Sequence, residues 1–149
     1  MNSEEPLEYV PQEKWTDLQE IFKINWPKNI AGYMLLETQT HLINNGFDYG
    51  FKVYYPYGNI WNGMVAINVK RKLCEIIILT PTEDTTKLEE ALSKTKLIDW
   101  TSKMIVPFAP QHVTDCIERV TSARNVVLEY LPSHTFILER HSPPFTDTR

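Results

Sequence analysis

The segment Leu73-Cys74-Glu75-Ile76-Ile77-Ile78-Leu79 closes on four consecutive aliphatic residues with no polar alternation. Successive residues of a strand point to opposite faces, so such a run puts apolar side chains on both sides of a sheet. It is stable only in the middle of a sheet that is covered on both faces. The run is far shorter than the ~20 residues of a membrane span, and no membrane partner is expected. The chain must therefore supply neighbouring strands and two layers of cover. Its 149 residues, 42% hydrophobic and 23% charged, are enough for one such domain without a metal or disulfide.

The cover is legible on both sides of the run. Leu7 to Val10 predicts a short strand ended by Pro11, and Trp15, Leu18, Ile21 and Phe22 recur at helical spacing over Gln12 to Asn25. Asn25-Trp26-Pro27 breaks that helix. A second helix is expected from Pro27 or Lys28, with Asn25 as a cap, through Ile30, Tyr33, Met34 and Leu42 to Asn45, stopped by Gly46. The period then falls to two: Phe47, Tyr49, Phe51, Val53 and Tyr55 share one face of an expected strand. Pro56-Tyr57-Gly58-Asn59 is turn chemistry, and Ile60 to Val69 predicts a further strand with Trp61, Val65, Ile67 and Val69 on one face. Lys70-Arg71-Lys72 makes a polar hairpin tip before the aliphatic run.

After the run, Thr80 to Thr86 turns into a helix carrying Leu88, Ala91 and Leu92, with Thr85 or Thr86 able to cap it. Lys96-Leu97-Ile98-Asp99-Trp100 is short helical or irregular, and Pro107 and Pro110 stop it. Gln111 to Arg124 is helical again, with Val113, Cys116, Ile117 and Val120 together. Val126 to Leu131 and Thr135 to Leu138 predict two last strands, and residues 141–149 a loose tail. The fold class is α/β in the α+β sense, a mixed and mainly antiparallel sheet covered by helices over residues 1–140.

Several strings in this order resemble a known family. Gly58-Asn59-Ile60-Trp61-Asn62, then Glu75-Ile76-Ile77-Ile78-Leu79-Thr80-Pro81, then Leu97-Ile98-Asp99-Trp100 are similar in order and spacing to the G-N-x-x-N, Pro-ended strand and L-I-[ND]-W strings of glycine N-acyltransferase-like proteins. The likeness covers about residues 7 to 140, on their N-terminal domain, within the GNAT superfamily of N-acetyltransferases. It implies a GNAT-like sheet and a longer protein of two such halves. The acyl-CoA and catalytic positions would lie mainly in the second half, and the whole would transfer an acyl group from acyl-CoA to an amino-acid amine. This chain is then expected to be the first half alone, with that C-terminal GNAT half or another protein as its partner.

A working GNAT half follows its strand with [QR]-x-x-G-x-[GA], whose glycines let backbone N–H groups approach a pyrophosphate. The corresponding segment here is Leu79-Thr80-Pro81-Thr82-Glu83-Asp84-Thr85-Thr86, which holds no glycine. Pro81 removes a donor, and Glu83 and Asp84 put negative charge where phosphate would sit. Like charges ~5 Å apart repel by about 1 kcal/mol in bulk water and several-fold more where solvent is reduced. The same residues are well explained as a capped helix start whose first acidic residues complement its dipole. No cofactor and no catalytic residue are assigned to this chain; acyl-CoA is implied only for the full-length family.

Other candidates have ordinary readings beside their functional ones. His41 and Glu37 have the spacing of a base and its orienter, and also of a surface pair. Four histidines are scattered without ligand spacing, Cys74 and Cys116 lie in no metal or redox motif, and no G-x-S-x-G string supports hydrolase chemistry. The aromatics around Tyr49 to Trp61, with Lys52 and Lys70 to Lys72, could stack bases, but the net charge of -4 and the absence of an RNP string argue against nucleic acid. Tyr54, Tyr55 and Trp61 are instead the candidate interface for a docking half. The polar, acidic opening Met1-Asn2-Ser3-Glu4-Glu5-Pro6 has neither signal-peptide nor presequence character, and a cytoplasmic location is expected. Three functions follow: a non-catalytic half, a protein-interaction domain on a degenerate GNAT scaffold, or an autonomous acyl-CoA-dependent transferase.

Overall fold

The aliphatic run forms the strand it predicts. In the computed structural model, which describes residues 5–24, 29–48, 50–70, 73–107 and 109–126, it is Leu73–Leu79. In chain order the elements are β1 (Leu7–Val10), α1 (Trp15–Phe22), α2 (Ile30–Asn44), β2 (Lys52–Pro56), β3 (Met64–Lys70), β4 (Leu73–Leu79), α3 (Thr86–Lys94), β5 (Met104–Ile105) and α4 (Gln111–Ala123). The sheet order follows the chain, β1-β2-β3-β4-β5. The first four strands pair antiparallel and β5 joins β4 in parallel, so the sheet is mixed and mainly antiparallel as expected.

Both faces of β4 are covered, and each has its own apolar cluster. Ile76 and Ile78, with Val65 and Ile67 of β3, pack against Leu88, Ala91 and Leu92 of α3 and Val113, Cys116, Ile117 and Val120 of α4. Ile77 and Leu79, with Met64, Ala66 and Val53, face Trp15, Leu18 and Phe22 of α1 and Leu36 of α2. Full burial of one such side chain stabilises the fold by about 1.5–3 kcal/mol. The sheet is thus a two-sided wall with two helices on each side.

The differences from the sequence reading have local causes. Gln12–Lys14 is a 3-10 turn, and α1 begins only at Trp15. In α2 the buried positions are Gly32 and Leu36, while Met34, expected on the core stripe, is 47% exposed. Glycine carries no apolar signal, so the true stripe was hidden. The strand expected from Phe47 starts at Lys52. Gly50 has a φ of 87° and its N–H bonds Asp48 Oδ1 at 3.0 Å, a turn that leaves Phe47 exposed.

The strand expected from Ile60 starts at Met64, because Ile60–Asn62 is a 3-10 turn. The Leu97 to Trp100 segment is irregular, and β5 was not foreseen, since two residues carry no period. Gly46 does stop its helix, with a φ of 88°. The Asn25 cap, Tyr49, Arg71, Lys72, the strands beyond Val126, the 141–149 tail, His134 and His141 lie outside the described residues.

Gly32 is where α1 and α2 meet. A Cβ built there would stand 2.6 Å from Cε2 of Phe22, a side chain with no exposure. Alanine is favoured over glycine inside a helix by about 1 kcal/mol, but overpacking an ordered ring costs about 1–3 kcal/mol. Gly32→Ala should therefore lower stability in urea unfolding, and Phe22→Leu in the same chain should recover part of the loss. A more stable Gly32→Ala protein would mean that the two helices are free to separate.

Candidate functional site

At the carboxyl end of β4 the chain must leave the sheet and start α3, and Thr80 organises that exit. Thr80 is buried, and its hydroxyl donates to the Thr82 carbonyl. Its Oγ1 also lies 2.8 Å from Nε2 of His112 in the first turn of α4. A hydroxyl has one proton to give. With that proton on Thr82, Oγ1 accepts from Nε2–H of His112. The pair is consequently arranged against a nucleophile and its base, which would need the proton to run the other way.

The turn satisfies itself. Thr82 Oγ1 accepts from the Asp84 N–H at 3.4 Å, and Asp84 Oδ1 accepts from the Thr86 N–H at 3.0 Å and the Thr86 hydroxyl at 2.8 Å. The two bonds from Thr86, backbone first, hold the Asp84 carboxyl below the usual carboxylate range. Pro81 is buried while Glu83 and Asp84 are exposed. Thr85 takes the cap position, as the sequence predicts, but the side chain that bonds the first helical N–H is that of Asp84. Thr85 stands at the cap position without a capping bond and takes one from Arg119 Nη2 at 3.4 Å instead. Glu83 and Asp84 precede the helix, and the acidic residue of its first turn is Glu89, 2.8 Å from Arg119 Nε.

Of the family-like strings, Glu75 to Leu79 belongs to β4, while Gly58 to Asn62 and Leu97 to Trp100 shape loops. Tyr57 and Gly58 both have positive φ, 55° and 68°, which makes the tight β2–β3 turn. Asn59 Oδ1 accepts from the Trp61 N–H at 2.9 Å, and Asn62 Nδ2 donates to the Pro56 carbonyl at 2.9 Å. Gly63 follows with a φ of 114°, where a Cβ would come 2.9 Å from Cγ2 of Thr80. Asp99 Oδ1 accepts from the Thr101 N–H at 3.0 Å, with Ile98 and Trp100 buried beside it and Arg124 over the Trp100 ring.

The structure separates the candidate interface residues. Tyr54 and Tyr55 are neighbours on β2 and so face opposite sides of the sheet. Tyr54 packs on the α3–α4 side with its ring 5.9 Å from Tyr9, and Tyr55 on the α1–α2 side. Burial raises both phenols, that of Tyr55 to about 12, with Asp17 adding to it. Trp61 is 46% exposed on the 3-10 turn, and Tyr57, at the tip of the preceding turn, is 42% exposed under Lys87 Nζ at 5.5 Å. The aromatics open to solvent at this end are Tyr57 and Trp61. The left-handed turn signal at Tyr57-Gly58 was the available clue, whereas His112 gave none.

The remaining candidates are quiet. Glu37 accepts from Gln19 Nε2 at 3.0 Å, and no hydrogen bond joins it to His41 among the described residues. Burial raises the Cys74 thiol and pushes that of Cys116 up to about 11, opposite to what a nucleophile needs. Among the described residues no cluster of His, Cys, Asp or Glu could hold a metal ion, and no helix is long and apolar enough to cross a membrane.

Fold and turn together define the class: a mixed α+β domain with paired helices on each face and a self-capped acidic turn after its central strand. No protein-family model and no curated protein sequence matches the chain. Among solved structures it is similar to the X-ray structure of a Drosophila melanogaster protein from a structural genomics consortium, with a TM-score of 0.67 and 18% identity over 84% of this chain. That likeness establishes the fold. The chain spans 47% of that protein's length.

The Asp84 cap carries a pH signature. A carboxyl held below its ordinary range stabilises the fold above that range and loses the contribution as pH falls through the lowered value. Wild type should melt higher than Asp84→Asn at pH 6, and the two melting temperatures should converge toward pH 2. A gap that persists at pH 2 would show that the charge is not what matters.

Proposed function

We propose that this chain is the non-catalytic, N-terminal half of a glycine N-acyltransferase-like protein of the cytoplasm. It serves as a scaffold and as one wall of the acceptor cleft. The observation that carries this reading is the β4–α3 turn. A phosphate-holding turn offers free N–H groups and glycine, but here the Asp84 and Thr86 N–H groups are bonded to the turn's own side chains. Glu83 and Asp84 add negative charge at the same place. The chain spans 47% of the Drosophila protein's length, which leaves room for a further half in a protein of that length. The complete protein would transfer an acyl group from acyl-CoA to an amino-acid amine, by attack of the neutral amine on the thioester.

An interaction domain is the second reading, and the exposure of Tyr57 and Trp61 at one end of the sheet favours it. The catalytic half is the partner these aromatics suit within the main proposal.

Melting the purified chain with acetyl-CoA or benzoyl-CoA tests the reading. A ligand bound at ~10 µM and present at a hundredfold excess would add about 2.7 kcal/mol of stability. No shift is expected from this chain, and a shift is expected once the second half is attached. A clear shift with the chain alone would overturn the scaffold in favour of an autonomous acyl-CoA-binding domain.

A further inference from the structure

The sheet is uneven about β4. β3 matches it along its whole length, from Met64 opposite Leu79 to Lys70 opposite Leu73. β5 meets only Cys74 and Glu75. On that side Ile76 to Leu79 have no strand partner among the described residues, and among them the first turn of α4 reaches the end of the strand through His112 and Val113. Adjacent parallel strands commonly open a ligand crevice beyond their carboxyl ends. Here that end runs into Thr80, which is tied to His112.

We propose that the His112–Thr80 hydrogen bond is a catch that holds the first turn of α4 over the carboxyl end of β4 and keeps that end of the sheet closed. The ties along α4 are unequal. Its later turns are fixed to α3 twice, through Arg119 to Glu89 and Thr85 and through Arg124 Nη2 to the Ser93 carbonyl at 2.6 Å. At the start of the helix Gln111 bonds within the helix, to Asp115, and Pro110 provides no side-chain cap. Among the described residues His112 is therefore the polar tie of that turn to the end of β4, beside the apolar contact of the fully buried Val113. Thr80 is a fixed receiver for it, pinned by the Thr82 carbonyl and seated against Gly63. Releasing His112 lets the start of α4 swing on its arginine-held later turns and uncovers the apolar layer of Ile78 and Leu88. The device rests on this geometry alone and is independent of whether the complete protein uses acyl-CoA.

Amide hydrogen exchange of the folded chain tests the catch through three single variants and one double. His112→Ala and Thr80→Val should each speed exchange at residues 113–117 by about fivefold to tenfold, the scale of one buried hydrogen bond. The amides of α1 and α2 should keep their rates. The double variant should exchange no faster than the faster single one, because both remove the same bond. His112→Gln keeps an N–H donor and should recover slow exchange, which also guards against an alanine variant that fails to fold. Equal acceleration across the whole chain would reduce the bond to ordinary structural support and overturn the proposal. Unchanged exchange in Thr80→Val and His112→Gln alike, with no slower rate in wild type, would overturn it as well.

Discussion

Everything in this fold answers to the need to keep β4 dry on both sides. A strand that carries Ile76 and Ile78 on one face and Ile77 and Leu79 on the other cannot stand at an edge or against solvent. The antiparallel neighbours β1 to β3 build the wall, and helices must then arrive from both ends of the chain. α1 and α2 come from before the strand and α3 and α4 from after it. The two apolar clusters share the sheet and little else.

That arrangement concentrates polar chemistry at the carboxyl end of β4. Gly63, Thr80, the acidic turn and His112 meet there because β2–β3, β4–α3 and α4 all pass the same place. Each polar group finds a partner within a few residues or across to α4. The residues are those of a loop that has been made to hold its own shape. The N-terminal segment shows the same economy: Glu5 accepts from the Leu7 and Lys96 N–H groups and from the Thr95 hydroxyl, tying the start of the chain to the end of α3.

The wall was legible in the sequence and its edges were not. β1 and β4 have the bounds that their patterns predict, and Leu88, Ala91, Leu92, Val113, Ile117 and Val120 are buried as the helical spacing requires. Periodicity succeeds there because long apolar patterns are set by the core. It failed where a glycine replaced a side chain, as at Gly32, and where side chains bent the backbone locally, as at Asp48, Asn59 and Asn62. In the candidate site, the missing glycine and the acidic character of the turn could be read directly. The bond from Asp84, rather than from the Thr85 cap residue, to the helix start, and the reach of His112 to Thr80, depend on distances that no linear pattern contains. Tyr54 and Tyr55 are adjacent in sequence, and the pleat of a strand sets such neighbours on opposite faces.

Strand order that follows chain order has a consequence for synthesis. Proteins emerge from the ribosome N-terminus first, and elements made early can pair while later ones are still absent. Once Leu79 has emerged, β1 to β4 and the α1–α2 layer are all available, and one face of the wall can close. The opposite face, with Val65, Ile67, Ile76 and Ile78, waits for the last turns of α4 near Val120. During that interval the nascent chain carries one finished surface and one greasy surface. The hazard of premature association therefore belongs to a single side of the sheet, the side that α3 and α4 will later cover.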